Sequence, residues 1–156
     1  MRAAVERREK ALLTHFQPLV GTLVGVPGLA QRVHHEAFSY YARLSPVLRF
    51  VTANVATPIS LAAAAKLAGL ERKYFSAFFH SKVGATFTEW VRILRVSRAM
   101  ELMRIHDNSI VRIAFAAGFQ DVRTFERAFK RYVGVSPRAY RASVRPKHDR
   151  CREPHD

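Results

Sequence analysis

Cysteine is almost missing from this 156-residue chain: Cys151 stands alone in a polar tail, so no disulfide can close within it. That usage suits a reducing, cytoplasmic setting. Long apolar runs are missing too, and none approaches the roughly 18 residues that a membrane helix requires. The opening MRAAVERREKALL is basic, but it carries two glutamates and leads into no long apolar core, so it does not read as a secretory signal. Alternating β-branched segments bounded by Asn-Gly or Asp-Gly turns are absent, which removes the usual signature of strands and hairpins. There is no P-loop, no paired catalytic carboxylates and no nucleophile elbow, so no enzymatic activity and no catalytic residue is expected. His34-His35, His80, His106 and His148 lack ligand spacing and neighbouring Cys or Asp partners, so neither a metal nor a cofactor is expected.

Acidic residues are also scarce. Twelve Asp+Glu stand against twenty-six Lys+Arg, a formal net charge of +14. The excess is uneven: residues 57–145 hold sixteen basic and six acidic residues, whereas residues 146–156 hold three of each. A field of that sign attracts polyanions and speeds association with them. A solvated basic surface would look the same by charge alone. Anionic membrane is the weaker partner, because no basic amphipathic helix stands apart from the fold.

What is present is helical periodicity. Residues 3–20 place Val5, Leu12, Phe16 and Leu19 near one face, and Gly21, Gly25 and Pro27-Gly28 break the pattern. Leu29 to Leu44 carries Val33, Ala37, Tyr40 and Tyr41 at three- and four-residue steps, which predicts a second helix. Ser45-Pro46 offers a cap with proline in the first turn and a helix through about Ala53.

From there the chain repeats itself. Leu61, Ala65, Leu67, Ala68 and Gly69 match Ile110, Ala114, Ala116, Ala117 and Gly118 at an offset of 49. One residue later in register, Phe75, Phe79, Val83, Gly84 and Trp90 match Phe125, Phe129, Val133, Gly134 and Tyr140 at an offset of 50. Each copy reads as a short helix with alanine at a close crossing, a glycine at its end where positive φ is needed, a tight turn and a second helix with an aromatic face. That is a helix-turn-helix, expected over about 59–84 and 108–134. An α-hairpin in any bundle has similar spacing, but both copies keep the small residue, the glycine and the aromatic face. Thr86 with Glu89 three residues on forms a capping box, so one long helix is predicted over about 86–105. Trp90, Val91 and Leu94 are expected to pack on the first copy, and Val96, Ala99, Leu102 and Met103 on the second. Arg92, Arg95 and Arg98 predict a less buried middle. About twenty residues span roughly 30 Å. One turn of B-DNA is roughly 34 Å, so one chain could enter successive major grooves.

These residues resemble the DNA-binding domain of the AraC/XylS family of bacterial transcription regulators. The resemblance runs over 46–141 and is carried by ISLAAAAKLAGL, by YFSAFFHSKVGATFTEWVRILRVSRAMELM and by IVRIAFAAGFQDVRTFERAFKRYVGVSPRAYR. Its most specific part is GF followed by F-x-R-x-F-K-x-x-x-G-x-[ST]-P-x-x-Y-R. The resemblance implies an all-α fold in which two helix-turn-helix subdomains flank a long linker helix, here with an N-terminal helical extension. It also implies promoter binding to double-stranded DNA, contact with RNA polymerase, activation of transcription, and a cytoplasmic, nucleoid-associated location.

The family's base-reading places fall on Lys73, Ser76 and Ala77 in the first unit, and on Val122, Arg123, Glu126 and Arg127 in the second. Lys73 and Arg123 can donate to guanine, Glu126 can accept from cytosine N4, and Val122 can pack on a thymine methyl. Ala77 departs from the long polar side chain often found there, and Glu71 from the usual small cap, its charge needing a partner such as Arg72. Arg72, Tyr74, Lys82, Arg95, Arg112, Thr124, Lys130 and Arg131 are the candidates for phosphate contact, which positions a protein without reading sequence. Residues 1–45 are too short and too helical for the upstream effector domain common in the family. They leave three expectations open: a compact monomer, a protein-interaction element that gives a dimer or a docking surface, or a fragment of a longer regulator. Residues 143–156 read as a polar, disordered tail.

Overall fold

The computed structural model describes residues 33–144; the expected helix over 3–20, the start of the 29–44 stretch and residues 145–156 of the tail expected over 143–156 lie outside them, while Ser143 and Val144 of that tail are helical. Eight helices and no strand occur among the described residues: α1 Ala37–Tyr40, α2 Leu44–Ala53, α3 Leu61–Leu67, α4 Arg72–Val83, α5 Phe87–Ile105, α6 Ile110–Ala116, α7 Val122–Val133 and α8 Pro137–Val144. The all-α architecture is the expected one, with α3–α4 and α6–α7 as the two helix-turn-helix units and α5 as the linker.

Local chemistry explains where the helices start. The Ser60 hydroxyl accepts from Ala63 N at 3.1 Å and the Ser109 hydroxyl from Arg112 N at 3.3 Å, so the two copies open on matching caps. At α5 the Thr86 hydroxyl accepts from Glu89 N at 3.3 Å while Thr86 N donates to the Glu89 carboxylate at 3.2 Å, completing the capping box. The Ser136 hydroxyl accepts from Ala139 N at 3.2 Å at the head of α8, so α8 repeats the first turns of α5 and each copy has three helices. Ala65 and Ala114 are buried at the helix crossings. Gly69 ends α3 at φ +64°, where a β-carbon would be strained.

Each unit is built on an aromatic cluster. Phe38 stacks on Trp90 with ring centroids 4.8 Å apart, and Phe79 meets the same indole at 5.4 Å. In the second unit Phe125 lies 5.2 Å from Phe119 and 5.5 Å from Phe129, which in turn meets Tyr140 at 5.5 Å. Such pairs add about 0.5–1.5 kcal/mol each beyond the area they bury.

Three expectations are corrected. The helix predicted through Leu44 does not run: α1 is a single turn, Tyr41 is extended at φ −98° and ψ 105°, and the chain re-enters a helix at Leu44. The run His-His-Glu-Ala-Phe-Ser-Tyr-Tyr has weak helix formers and no side-chain cap, and His34 N is held by Val83 O at 2.9 Å instead. Ser45 therefore sits inside the first turn of α2 rather than capping it. Val33, Ala37 and Phe38 are buried in the same core.

The third correction concerns the linker. Its middle is not less buried: Ile93, Leu94, Val96 and Ser97 are all buried, because helices of both units, α4 on one hand and α6, α7 and α8 on the other, pack on α5. The arginines expected to expose it reach out along the surface instead. Arg98 Nε donates to Ala116 O at 3.2 Å, and Arg95 donates to two carbonyls of the loop before α3.

Candidate nucleic-acid interface

The second helix of each unit has one apolar and one polar side. In α4, Phe75, Phe79 and Val83 are buried; in α7, Phe125, Ala128, Phe129 and Tyr132 are. Those anchors turn Lys73 and Ala77 outward in the first unit and Arg123, Glu126 and Arg127 outward in the second. Ser76 is only partly exposed. Val122 is partly buried against the core, which leaves less of it for an outside contact.

Both helices begin on a carboxylate. Glu71 accepts from Lys73 N at 3.1 Å and Tyr74 N at 3.3 Å, so its charge is met by the helix end itself rather than by Arg72. Asp121 accepts from Thr124 N at 2.7 Å, and this bond holds its carboxyl below the ordinary value. Each carboxylate fixes the first turn from which the neighbouring basic side chains project.

The phosphate candidates separate by environment. Arg72, Arg112, Thr124 and Lys130 are exposed, and Tyr74 is 63% exposed. Lys82 lies over the Tyr41 ring, 5.1 Å from its centroid. Arg131 Nη2 is 3.8 Å from Glu89, on the first turn of the linker. The Glu89 carboxyl is held low chiefly by the Thr86 hydroxyl and then by the Thr86 N–H, with Arg131 a smaller cause. Arg95 is half-buried, with Nε on Val55 O at 3.0 Å and Nη2 on Thr57 O at 2.9 Å.

Sequence reasoning missed the cleft between the units, a space of about 310 Å³ whose polar rim includes Thr88, Arg92 and Gln120 beside Asp121 and Thr124. No local signal marks it, since its walls come from three separated segments. It also missed Arg43, whose guanidinium donates to Ala68 O at 3.3 Å and Gly69 O at 3.2 Å, closing the carbonyl end of α3. Among the described residues no group of three or more His, Cys, Asp or Glu is placed to hold a metal, and no helix is long and apolar enough to cross a membrane.

Two capped helices, each with an apolar inner side and a basic outer one, define a tandem helix-turn-helix domain. A family described as helix-turn-helix domain matches residues 64–143. The melibiose operon regulatory protein of Escherichia coli (strain K12) is 29% identical over 112 residues, covering 70% of this chain and 37% of that protein. The HTH-type transcriptional activator AarP of Providencia stuartii is 27% identical over 100 residues, covering 64% of this chain and 74% of that protein. Among solved structures, the DNA-binding domain of the global transcriptional factor AdpA, in complex with a target DNA, superposes with a TM-score of 0.62 at 28% identity, covering 66% of this chain and 93% of that one. An AraC-type regulator from Chromobacterium violaceum superposes with a TM-score of 0.64 at 25% identity, covering 70% and 98%. The chain belongs to the AraC/XylS family of bacterial transcription regulators. It spans about two fifths of the length of the longer curated relatives it matches.

Proposed function

We propose that this chain binds promoter DNA sequence-specifically by seating α4 and α7 in successive major grooves on one face of the duplex. In this reading Lys73, Ser76 and Ala77, with Val122, Arg123, Glu126 and Arg127, face the bases. Arg72, Tyr74, Arg112, Thr124 and Lys130 meet phosphates, while Lys82, Arg95 and Arg131 have protein partners that compete for that role. The observation that carries the reading is a single one: two carboxylate-capped helices, basic outside and aromatic inside, both pack on one 19-residue helix about 28 Å long. That length is close to the roughly 34 Å turn of B-DNA. The relative solved with its target DNA supports duplex DNA as the ligand. The relative named as an activator supports activation; RNA polymerase is the protein partner this reading expects at the promoter.

The test is rotational. The preferred site is to be found by selection from random duplexes, and about five base pairs then inserted between its halves. Half a turn carries one half-site to the far side of the duplex, so affinity should fall to that of a lone half-site. Equal binding to the rotated site would overturn the two-groove reading.

A further inference from the structure

Principal packing between the two units runs through the linker, and the cleft of about 310 Å³ keeps much of their facing surface apart. A direct junction lies beside it. Gly118, in the turn of the second unit, has φ +99°, and a β-carbon there would collide with Val55 O and come within 2.9 Å of both Ala56 Cα and Arg95 Nε. The backbone of the second unit is therefore seated on the loop that enters the first. Arg95 lies in the same junction. Its Nε and Nη2 tie the linker to Val55 O and Thr57 O, at 3.0 and 2.9 Å. One turn on, Arg98 ties the linker to Ala116 O, just before the seat.

The contrast with the second copy shows what is unusual here. Arg141 in α8 donates to Asn108 O and to the Asp107 carboxylate, both at 2.7 Å, pinning the third helix to the chain entering its own unit. Arg95 does the corresponding work for the first copy, yet its Nε also forms one wall of the Gly118 seat. A guanidinium suits the place, because its planar fork serves two carbonyls at once while its stem runs along apolar surface.

We propose that Arg95 and the Gly118 seat are a clasp that fixes the angle and spacing between the two reading helices, making Arg95 a positioning residue for half-site spacing. The proposal rests on the two-groove reading. Two modules joined by a rigid connector reach a high effective concentration only at the matching span. A loosened junction spreads that concentration over several spacings and lowers it at the best one.

The experiment has a structural arm and a DNA arm. Lys66→Cys and Ala142→Cys, in a Cys151→Ser background, place spin labels on exposed positions of the two units, and pulsed electron resonance reads their separation in the free protein. The parent should give one narrow distance. Arg95→Met, which keeps the stem but loses both donors, should broaden it, and Arg95→Lys should restore part of the narrowing. In the DNA arm, affinity is measured for a lone half-site and for full sites whose spacing is stepped by single base pairs. Arg95→Met should lose about tenfold at the best spacing, flatten the spacing preference and lose markedly less on the lone half-site. A narrow distance in Arg95→Met overturns the clasp. So does an unaltered spacing preference, and so does an equal loss on half-site and full site, which marks a merely structural residue. If the parent protein has no spacing preference, the two-groove reading fails, while the label distances still decide whether the clasp exists.

Discussion

Arg123 gives the sharpest test of how the second unit reads DNA. It is the second residue of α7, exposed, and follows the Asp121 cap. The core anchors Phe125 and Phe129 leave from the opposite side of the helix, so Arg123→Ala removes no buried surface. Stability should change by no more than about 0.5 kcal/mol, the ordinary range for surface substitutions. Any larger loss in binding therefore belongs to the DNA contact. A bidentate arginine–guanine pair contributes about 1–3 kcal/mol of discrimination. At about 1.4 kcal/mol per decade, affinity for the selected site should drop roughly 5- to 150-fold. Scrambled DNA should lose far less, because only one cationic contact among several has gone. Fluorescence anisotropy at fixed salt measures the two affinities, and selection from random duplexes gives base preference position by position. The variant should lose preference at one position of one half-site. An unaltered profile, with cognate and scrambled affinities falling together, would make Arg123 a phosphate clamp and refute the base-reading role.

Two further predictions concern the frame that presents the reading helices. Ala114 is fully buried where α6 crosses α7, so Ala114→Leu should cost about 1–3 kcal/mol by forcing the helices apart; urea unfolding checks this, and an unchanged midpoint would show that the crossing is not tight. The Asp121 carboxyl is held low by its bond from Thr124 N, so its cap stabilises the fold at neutral pH and is lost as pH falls through that lowered value. Asp121→Ala should melt at a lower temperature than the parent at about pH 7, with the gap closing below about pH 4, and a gap independent of pH would show that the charge of the cap does not matter.

Much of this architecture was legible in the residues themselves. Alanine, glycine and phenylalanine recurring at offsets of 49 and 50 marked two like units, because each constraint is local: a close crossing, a positive φ, one apolar side of a helix. The cap at Thr86 was readable for the same reason, since its hydroxyl meets an amide three residues away. The outward direction of Arg123, Glu126 and Arg127 followed from the phenylalanines that share their helix. The candidate contacts rest on resemblance, and neither their composition nor their spacing says which of them another part of the protein occupies.

That allocation was decided by the tertiary structure. Arg72 and Arg95 look alike in the chain, yet Arg72 is exposed while Arg95 bonds carbonyls 38 and 40 residues away. Lys82 and Arg131 meet Tyr41 and Glu89, partners that no nearby residue predicts. The single turn at α1 is of the same kind. Its periodicity permitted a longer helix, but Phe38 had to reach Trp90, 52 positions later, and Leu44 had to enter the same core. Helix caps and apolar stripes are set by neighbours along the chain and can be read there. The partner of a long cationic side chain depends on which carbonyls and rings the completed fold brings within its reach.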